Sequence, residues 1–282
     1  MSPRVRIGAV SYLNSLPLVH GLAGGPRGPA LELTYATPAA LADLLAAGEL
    51  DVALLPVIEL ARIPELEIVP GLAIGSRGPC RSVLLVSTRP AEEIKSLALD
   101  RDSRTSNALA RLLLDQVWQR RPQIVSCAGS LAESLRGAHA AVRIGDKALF
   151  EPLPPGARAY DLGEIWTRET SLPFVFAVWA ARPGVVDREL YLALHAARRD
   201  GSRAIERIAA GYRWNGEGRA EIARDYLTRN IRFRLGSTEI RAMELFFGAA
   251  AALGLIEAVP EIRLALERWT ACHEAAAQAG RT

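Results

Sequence analysis

Cysteine is scarce in this chain. Its 282 residues include three cysteines, Cys80, Cys127 and Cys272, which lie far apart and form no CxxC pair. An odd number of widely spaced cysteines is not typical of a disulfide framework, and the missing pair spacing argues against a zinc site. We therefore expect reduced thiols, as in most cytosolic proteins.

Long hydrophobic runs are also missing. The N-terminal residues show no extended apolar segment followed by a cleavage site, so no secretion signal is predicted. The apolar stretch 246–256 is too short to cross a bilayer. We expect a protein of the cytoplasm that does not enter a membrane.

Sequence motifs for nucleotide cofactors and metals are absent as well. No GxGxxG follows a predicted strand, and neither a Walker loop nor an HExxH motif occurs. None of the four histidines belongs to a convincing catalytic triad. The net charge of +3 is too small to indicate a nucleic-acid partner but suits an anionic small molecule. No cofactor and no metal are predicted, and the oligomeric state is left open.

Alternating strand and helix patterns are present and predict an α/β protein. Short apolar runs bounded by turn residues predict strands, and apolar residues at helical spacing predict helices that dominate after residue 187. The predicted strands are 5–10, 51–55, 66–69, 82–87, 97–100, 123–127, 140–144 and 173–181. These elements could form either two separate α/β units or one continuous Rossmann sheet.

Two lobes explain this order economically. A first lobe of residues 1–85 and 177–282 would be interrupted by an inserted α/β lobe of residues 86–176. The chain would cross between the lobes on the strands 82–87 and 174–180. Two such crossings form a natural hinge, and small ligands often bind in the cleft between domains.

Polar residues follow the first predicted strand directly. Open α/β sheets bind ligands beyond the carboxyl ends of their strands. In the segment 11–17, Asn14 can both donate and accept hydrogen bonds, so it could hold a substrate group. The alternative is an ordinary turn residue.

Two further segments could bind anions. Thr105 and Ser106 open a predicted helix, whose first N–H groups favour negative charge. Arg81 and Ser82 lie where the chain enters the predicted strand 82–87 and could form a second anion site. Plain helix capping and a surface arginine are the respective alternatives. Asp146 follows the strand 140–144 and Gly145, and it is either a base or a helix cap.

Six of these segments occur in an order that resembles one enzyme family. The segments are 11–17, 51–56, 78–83, 102–106, 144–146 and 172–179. They resemble the chorismate dehydratases of the futalosine route to menaquinone, over residues 4–182. This resemblance implies a two-lobed fold similar to type 2 periplasmic binding proteins. It also implies a lyase that removes water from chorismate to give 3-enolpyruvylbenzoate, without a cofactor.

The resemblance also assigns roles to residues. It implies that Asn14 and Ser82 are catalytic and that the two carboxylates of chorismate occupy the two anion sites. The implied substrate-binding residues are Tyr12, Leu13, Leu55, Pro56, Val57, Arg81, Thr105, Ser106, Ile144, Gly145, Asp146 and Phe174. Because these segments offer no obvious protein base, we hypothesise that the substrate's enolpyruvyl carboxylate removes the proton.

Two other functions compete with this interpretation. The sister family, the 1,4-dihydroxy-6-naphthoate synthases, carries a catalytic histidine at the position of Gly145, and its absence here argues against them. A binding protein or a regulator lobe for an anionic metabolite is the second alternative. One position departs from the dehydratase pattern, because Ser171 stands where a glycine is usual.

Overall fold

Strands and helices alternate through the first part of the chain. The computed structural model describes residues 4–22, 30–125 and 129–266. The strands are β1 (Val5–Val10), β2 (Leu31–Ala36), β3 (Val52–Pro56), β4 (Glu67–Ser76), β5 (Val83–Ser87), β6 (Ser96–Ala98), β7 (Gln123–Val125), β8 (Ala140–Ile144), β9 (Arg158–Asp161), β10 (Phe174–Ala181), β11 (Arg213–Trp214), β12 (Glu217–Gly218) and β13 (Arg263–Leu264).

Helices dominate the second part, as the sequence predicts. The α-helices are α1 (Leu16–Val19), α2 (Pro38–Ala46), α3 (Arg104–Trp118), α4 (Leu131–Gly137), α5 (Gly145–Phe150), α6 (Leu162–Thr170), α7 (Arg188–Arg203), α8 (Ile205–Gly211), α9 (Ala220–Asp225) and α10 (Ser237–Ala252). Short 3-10 turns cover Leu13–Ser15, Val57–Ala61 and Ala91–Glu93, and a π-helical turn covers Tyr226–Asn230. Within the ranges described, no helix is long and apolar enough to cross a membrane.

The first sheet has six strands in the order β13-β4-β10-β3-β1-β2. Strand β1 pairs in parallel with β2 and β3, whereas β10 runs antiparallel between β3 and β4. Every residue of β3 is buried. Its uninterrupted apolar sequence follows from this, because a strand covered on both faces needs apolar side chains in both directions.

The second sheet has five strands in the order β7-β6-β8-β5-β9. Strand β6 pairs in parallel with β7 and β8, and β5 runs antiparallel to β8 and β9. The two separate sheets confirm the α/β class and contradict the alternative of one continuous Rossmann sheet. Buried side chains next to both sheets, including Leu55, Val83 and Ile144, share one hydrophobic cluster.

The crossings between the sheets differ from the prediction. In the described part of the chain, β5 pairs with β8 and β9 alone, and β10 pairs with β3 and β4 alone. The chain therefore passes between the sheets in the segments 77–82 and 162–173, just before each of these strands. Backbone pairing commits each strand to a single sheet. Of the predicted strand 123–127, residues 126 and 127 lie outside the described residues.

The serine that replaces the usual glycine ends helix α6. Ser171 has a φ of 60°, in the left-handed region, at the C-cap of this helix. Left-handed C-caps are common, and glycine adopts them most easily. The preceding Thr170 supports the turn, since its hydroxyl donates to the Trp166 carbonyl at 2.7 Å and accepts from the Leu172 N–H at 3.1 Å. Serine therefore preserves this turn in a less favourable backbone conformation.

Candidate active site

A cavity lies where the two sheets face each other. Strands β1, β3, β4 and β10 of the first sheet and β5 and β8 of the second contribute to its wall. The start of helix α3 closes one side. The lining residues are Val10, Tyr12, Asn14, Pro38, Leu54, Pro56, Ile74, Ser82, Val83, Ser103, Ser106, Ile144, Gly145, Phe176 and Ala177.

A tight turn after β1 brings Tyr12 and Asn14 to the cavity. The Ser15 hydroxyl is buried and lies within hydrogen-bond reach of the carbonyl oxygens of Val10 and Tyr12, the latter at 2.8 Å. The chain turns back through Leu13–Ser15 and continues into α1, which carries Pro17 in its first turn. Leu13 is fully buried and does not line the cavity. Tyr12 and Asn14 therefore face the cavity, while Leu13 and Ser15 hold the loop in place.

Asn14 and Ser82 meet at a third residue, Tyr226. The Tyr226 hydroxyl donates to Ser82 Oγ at 2.7 Å, and the side chain of Asn14 acts on the same hydroxyl and lowers its pKa. Tyr226 is 1% exposed, and burial raises the pKa of its hydroxyl. Sequence reasoning missed this residue, whose only signal is an aromatic side chain on the apolar face of a predicted helix.

The start of helix α3 combines capping with exposure to the cavity. Ser103 is the N-cap, and its hydroxyl accepts from the Ser106 N–H at 3.3 Å and donates to Ser106 Oγ at 2.7 Å. Both serines line the cavity. Thr105 does not, because its Oγ1 accepts from the Ile58 N–H at 3.1 Å. Thr105 therefore holds α3 against the turn that follows β3.

An ion pair strengthens that contact. Arg104, the first residue of α3, lies 3.3 Å from the Glu59 carboxylate and 3.0 Å from that of Asp43. The Glu59 side chain is completely buried, and burial raises its pKa although Arg104 and Arg62 oppose the shift. Buried charges need such partners, because desolvation penalises them strongly. The helix start is thus fixed both to helix α2 and to the turn that follows β3.

Asp146 holds the opposite side of the cavity together. Its carboxylate accepts from the Leu13 N–H at 3.1 Å and from the Tyr212 hydroxyl at 2.5 Å. Asp146 is 5% exposed; burial raises its pKa, and the bonds from Tyr212 and Leu13 counteract the shift. It does not line the cavity. Its observed contacts fix the loop after β1 rather than cap helix α5.

Gly145 allows Tyr12 to pack closely. Gly145 has a φ of +62°, and a Cβ at this position would lie 3.0 Å from the Tyr12 ring. Its N–H donates to the Ser82 carbonyl at 2.8 Å. Both the backbone conformation and the close ring favour glycine here. Burial raises the pKa of Tyr12, with smaller effects from Asp102, Asp100 and Asp146.

Four other predicted residues lie away from the cavity wall. Arg81 is exposed with a φ of 60°, and its N–H donates to Asp161 at 2.6 Å. Leu55, Val57 and Phe174 are buried in the core. Leu54 and Pro56, the neighbours of Leu55 in β3, line the cavity instead, and so does Phe176, which a register shift in β10 separates from Phe174. Successive side chains point to opposite faces of a strand, so an apolar run does not reveal which of its residues face a ligand.

The lining side chains carry no formal charge among the residues that the structure describes. Hydroxyl and amide groups supply the polarity: Tyr12, Asn14, Ser82, Ser103 and Ser106. The N-terminus of helix α3 adds a partial positive charge to the same side. The remaining wall is apolar, so the cavity suits a ring that carries hydrogen-bonding oxygens. In residues 4–22, 30–125 and 129–266, no three His, Cys, Asp or Glu side chains group so that they could hold a metal ion.

Solved structures share this fold. A protein from Archaeoglobus fulgidus superposes with a TM-score of 0.70 at 17% identity, covering 90% of this chain and 99% of that protein. The alkanesulfonate-binding protein of Xanthomonas axonopodis pv. citri, solved with bound MOPS, has a TM-score of 0.61 at 16% identity and covers 93% and 96%. The expected resemblance to periplasmic binding proteins is confirmed at the level of the fold.

Sequence comparison identifies the relatives. The chorismate dehydratase of Thermus thermophilus is 30% identical over 273 residues, which cover 90% of this chain and 97% of that enzyme. Residues 5–252 match the sequence model of a family described as menaquinone biosynthesis. That match includes every residue of the cavity wall and every strand of the two sheets except β13. The chain therefore belongs to the menaquinone biosynthesis family.

Proposed function

We propose that this chain removes water from chorismate to give 3-[(1-carboxyvinyl)oxy]benzoate, a hydro-lyase reaction of menaquinone biosynthesis. The 30% identity to a chorismate dehydratase across nearly the whole of both chains carries this proposal. The cavity supports it, because Asn14 and Ser82 line the same wall and share Tyr226 as a partner. We place the reaction in the cytoplasm, because biosynthetic intermediates such as chorismate are found there.

The shape of chorismate suits the distribution of polar groups. Chorismate has a cyclohexadiene ring, two carboxylates and one hydroxyl. Apolar side chains such as Leu54, Ile74 and Phe176 would contact the ring. We assign one carboxylate to Ser103 and Ser106 at the start of α3, and the opposite edge to Asn14 and Ser82. Arg81 has no part in this arrangement, since it does not line the cavity.

The reaction needs a proton acceptor and a stabilised anion. The enolpyruvyl carboxylate of the substrate would take the proton from ring C3, and the electron pair of that C–H bond would move through the double bond into the ring carboxylate. Return of those electrons would break the C4–oxygen bond and leave an aromatic ring. The departing hydroxide and the transferred proton together make one water. Donors fixed on the developing anion lower this barrier, as in an oxyanion hole.

The protein would orient the substrate and exclude water from the cavity. Holding the enolpyruvyl carboxylate near C3 makes proton transfer intramolecular, which supplies much of the rate enhancement. Closure of the two units over the substrate would exclude water. We propose two lobes with the cavity between them, and we place their boundaries in the connecting segments 77–82 and 162–173 rather than at residues 85 and 176, which lie inside β5 and β10.

One assay separates the candidate functions. The purified protein is incubated with chorismate, the loss of diene absorbance is followed, and the product is identified by mass spectrometry. We expect a product lighter than chorismate by one water. Saturable binding of chorismate without turnover would instead favour a metabolite-binding protein. If the protein neither converts nor binds chorismate, chorismate is excluded as its ligand.

A further inference from the structure

A buried tyrosine joins the two candidate catalytic side chains without entering the cavity. Tyr226 lies 144 residues from Ser82 in sequence, yet its hydroxyl contacts both Ser82 and Asn14. It is absent from the cavity wall. We propose that Tyr226 is a positioning residue that fixes the directions in which Ser82 and Asn14 donate hydrogen bonds to the substrate. This inference deepens the proposed function and rests on it.

The polarity of the hydrogen bonds carries the argument. A phenol has one proton, and Tyr226 gives it to Ser82 Oγ at 2.7 Å. The serine oxygen accepts this proton, so its own proton remains available for a group in the cavity. Without Tyr226, the Ser82 hydroxyl could rotate and turn its proton away. The tyrosine therefore makes Ser82 a donor toward the substrate.

The same hydroxyl orients Asn14. An asparagine amide can turn over, which exchanges its donor and acceptor sides. Asn14 lowers the pKa of the Tyr226 hydroxyl, as an amide nitrogen turned toward the tyrosine does. The second amide proton and the carbonyl oxygen are left for the cavity. In the described residues, the Ser82 side chain has no hydrogen-bond partner besides Tyr226, and Asn14 acts on the same hydroxyl, so one group serves both side chains.

The surroundings of Tyr226 keep its hydroxyl in place. Its ring belongs to a buried cluster that includes Ile7, Leu13 and Leu227. It begins the π-helical turn Tyr226–Asn230, an unusual local geometry that occurs often at functional sites. A buried tyrosine hydroxyl usually needs one partner. This one has two, and both line the cavity.

Substituting Tyr226→Phe tests the proposal, because it removes only the hydroxyl. With chorismate as substrate, we expect kcat to fall about 10- to 100-fold, the rate equivalent of one or two lost hydrogen bonds, with little change in KM. The matched control is Tyr160→Phe, which loses a hydrogen bond to the Ala91 N–H far from the cavity. We expect its kcat to equal that of the wild type. An unchanged kcat in Tyr226→Phe would overturn the proposal.

A double-mutant cycle distinguishes a positioning role of Tyr226 from a purely structural role. If Tyr226 acts through Ser82, Tyr226→Phe should cost much less activity in a Ser82→Ala background than in the wild type. Equal losses in both backgrounds would show that the tyrosine does not act through Ser82, contrary to the proposal. A structural role alone would lower stability without this dependence on Ser82.

A further measurement does not depend on turnover. High-resolution crystal structures of Tyr226→Phe and Tyr160→Phe would show the side chains of Asn14 and Ser82 directly. We expect several rotamers of both side chains in the first variant and a single rotamer in the second. A single unchanged rotamer in Tyr226→Phe would refute the inference even if chorismate proved not to be the substrate. Failure of wild-type turnover alone would refute the proposed function instead.

Discussion

The carboxylate of Asp146 accepts a hydrogen bond from the backbone N–H of Leu13, 133 residues earlier in the chain. Leu13 follows β1 of the first sheet, and Asp146 lies in the helix that follows β8 of the second. The bond therefore ties the loop that carries Tyr12 and Asn14 to the opposite sheet. The Tyr212 hydroxyl supplies the second donor to the same carboxylate.

Removing the Tyr212 hydroxyl should weaken this tie in a pH-dependent way. Tyr212→Phe leaves the buried carboxylate of Asp146 with the Leu13 N–H, so we expect a loss of about 1–3 kcal/mol in the free energy of unfolding at neutral pH. The lost bond lowers the pKa of Asp146, so its removal raises that pKa further. The destabilisation should therefore shrink as the pH falls and Asp146 becomes protonated in the folded state.

Urea denaturation between about pH 4 and pH 8 measures this effect, since that range spans the titration of a carboxylate with a raised pKa. The control is Tyr35→Phe, whose parent residue is 50% exposed and whose change should stay within about 0.5 kcal/mol. A loss in Tyr212→Phe that did not vary with pH would argue against a charged Asp146 as the partner.

Asn14 and Ser82 should each be essential for turnover. Removing one donor from an oxyanion-stabilising site costs about 10²–10³-fold in kcat, so we expect losses of this order in Asn14→Ala and in Ser82→Ala. Steady-state kinetics with chorismate measures them. Ser87→Ala is the control, because Ser87 is also buried but donates to the His139 carbonyl at 2.9 Å, at the far end of β5. Wild-type turnover in both cavity variants would contradict the assignment.

A side chain at Gly145 should disturb substrate binding as well as stability. In Gly145→Ala, the new Cβ would meet the Tyr12 ring at 3.0 Å and the backbone would be strained at a φ of +62°. Gly156→Ala is a matched control, since Gly156 has a φ of +76° and no heavy atom within 4 Å of an added Cβ. Both variants should lose about 1–2 kcal/mol of stability. Only Gly145→Ala should also raise KM, by about tenfold; an equal KM in the two variants would contradict a role for Tyr12 packing.

Ser171 offers a stabilising substitution. Its φ of 60° lies in the left-handed region, which costs a residue with a Cβ about 1–2 kcal/mol relative to glycine, partly offset by the greater freedom of glycine in the unfolded chain. We expect Ser171→Gly to raise the free energy of unfolding by about 0.5–1 kcal/mol with unchanged activity. Thermal and denaturant unfolding measure the gain. Ser171→Ala should bring none, and a gain of equal size in that variant would point to the lost hydroxyl instead.

Apolar runs in the sequence predict most of the central strands of the two sheets, but not the edge strands β2 and β9. Strands β3, β5, β8 and β10 are largely buried and consist of apolar residues, apart from Ser87 in β5 and Arg143 in β8. Strands β2 and β9 escaped prediction, because they lie at sheet edges and contain exposed residues. An edge strand has one paired neighbour, so its sequence is less constrained by burial.

The candidate site divides in a similar way. Asn14 follows a strand, Ser82 directly precedes one and Ser106 lies in the first turn of a helix, which are local signals, and all three line the cavity. Tyr226 carries no such signal, because packing of the C-terminal helices alone brings it to Ser82. The strand 51–55 does not reveal that Leu54 faces the cavity and Leu55 the core. Sequence patterns thus indicate residues next to the ends of strands. The residues that hold them in place, such as Tyr226, depend on tertiary packing and are not visible in a local pattern.

The position of β10 has a consequence for synthesis on the ribosome. This strand lies inside the first sheet, between β3 and β4, yet it comes after the whole second sheet in the chain. During synthesis, the backbone groups of β3 and β4 that pair with β10 stay unpaired until the ribosome has made residue 181. The second sheet needs no residue beyond Asp161. It can therefore be completed before the first sheet, although the first sheet contains the earliest segment of the chain to be made.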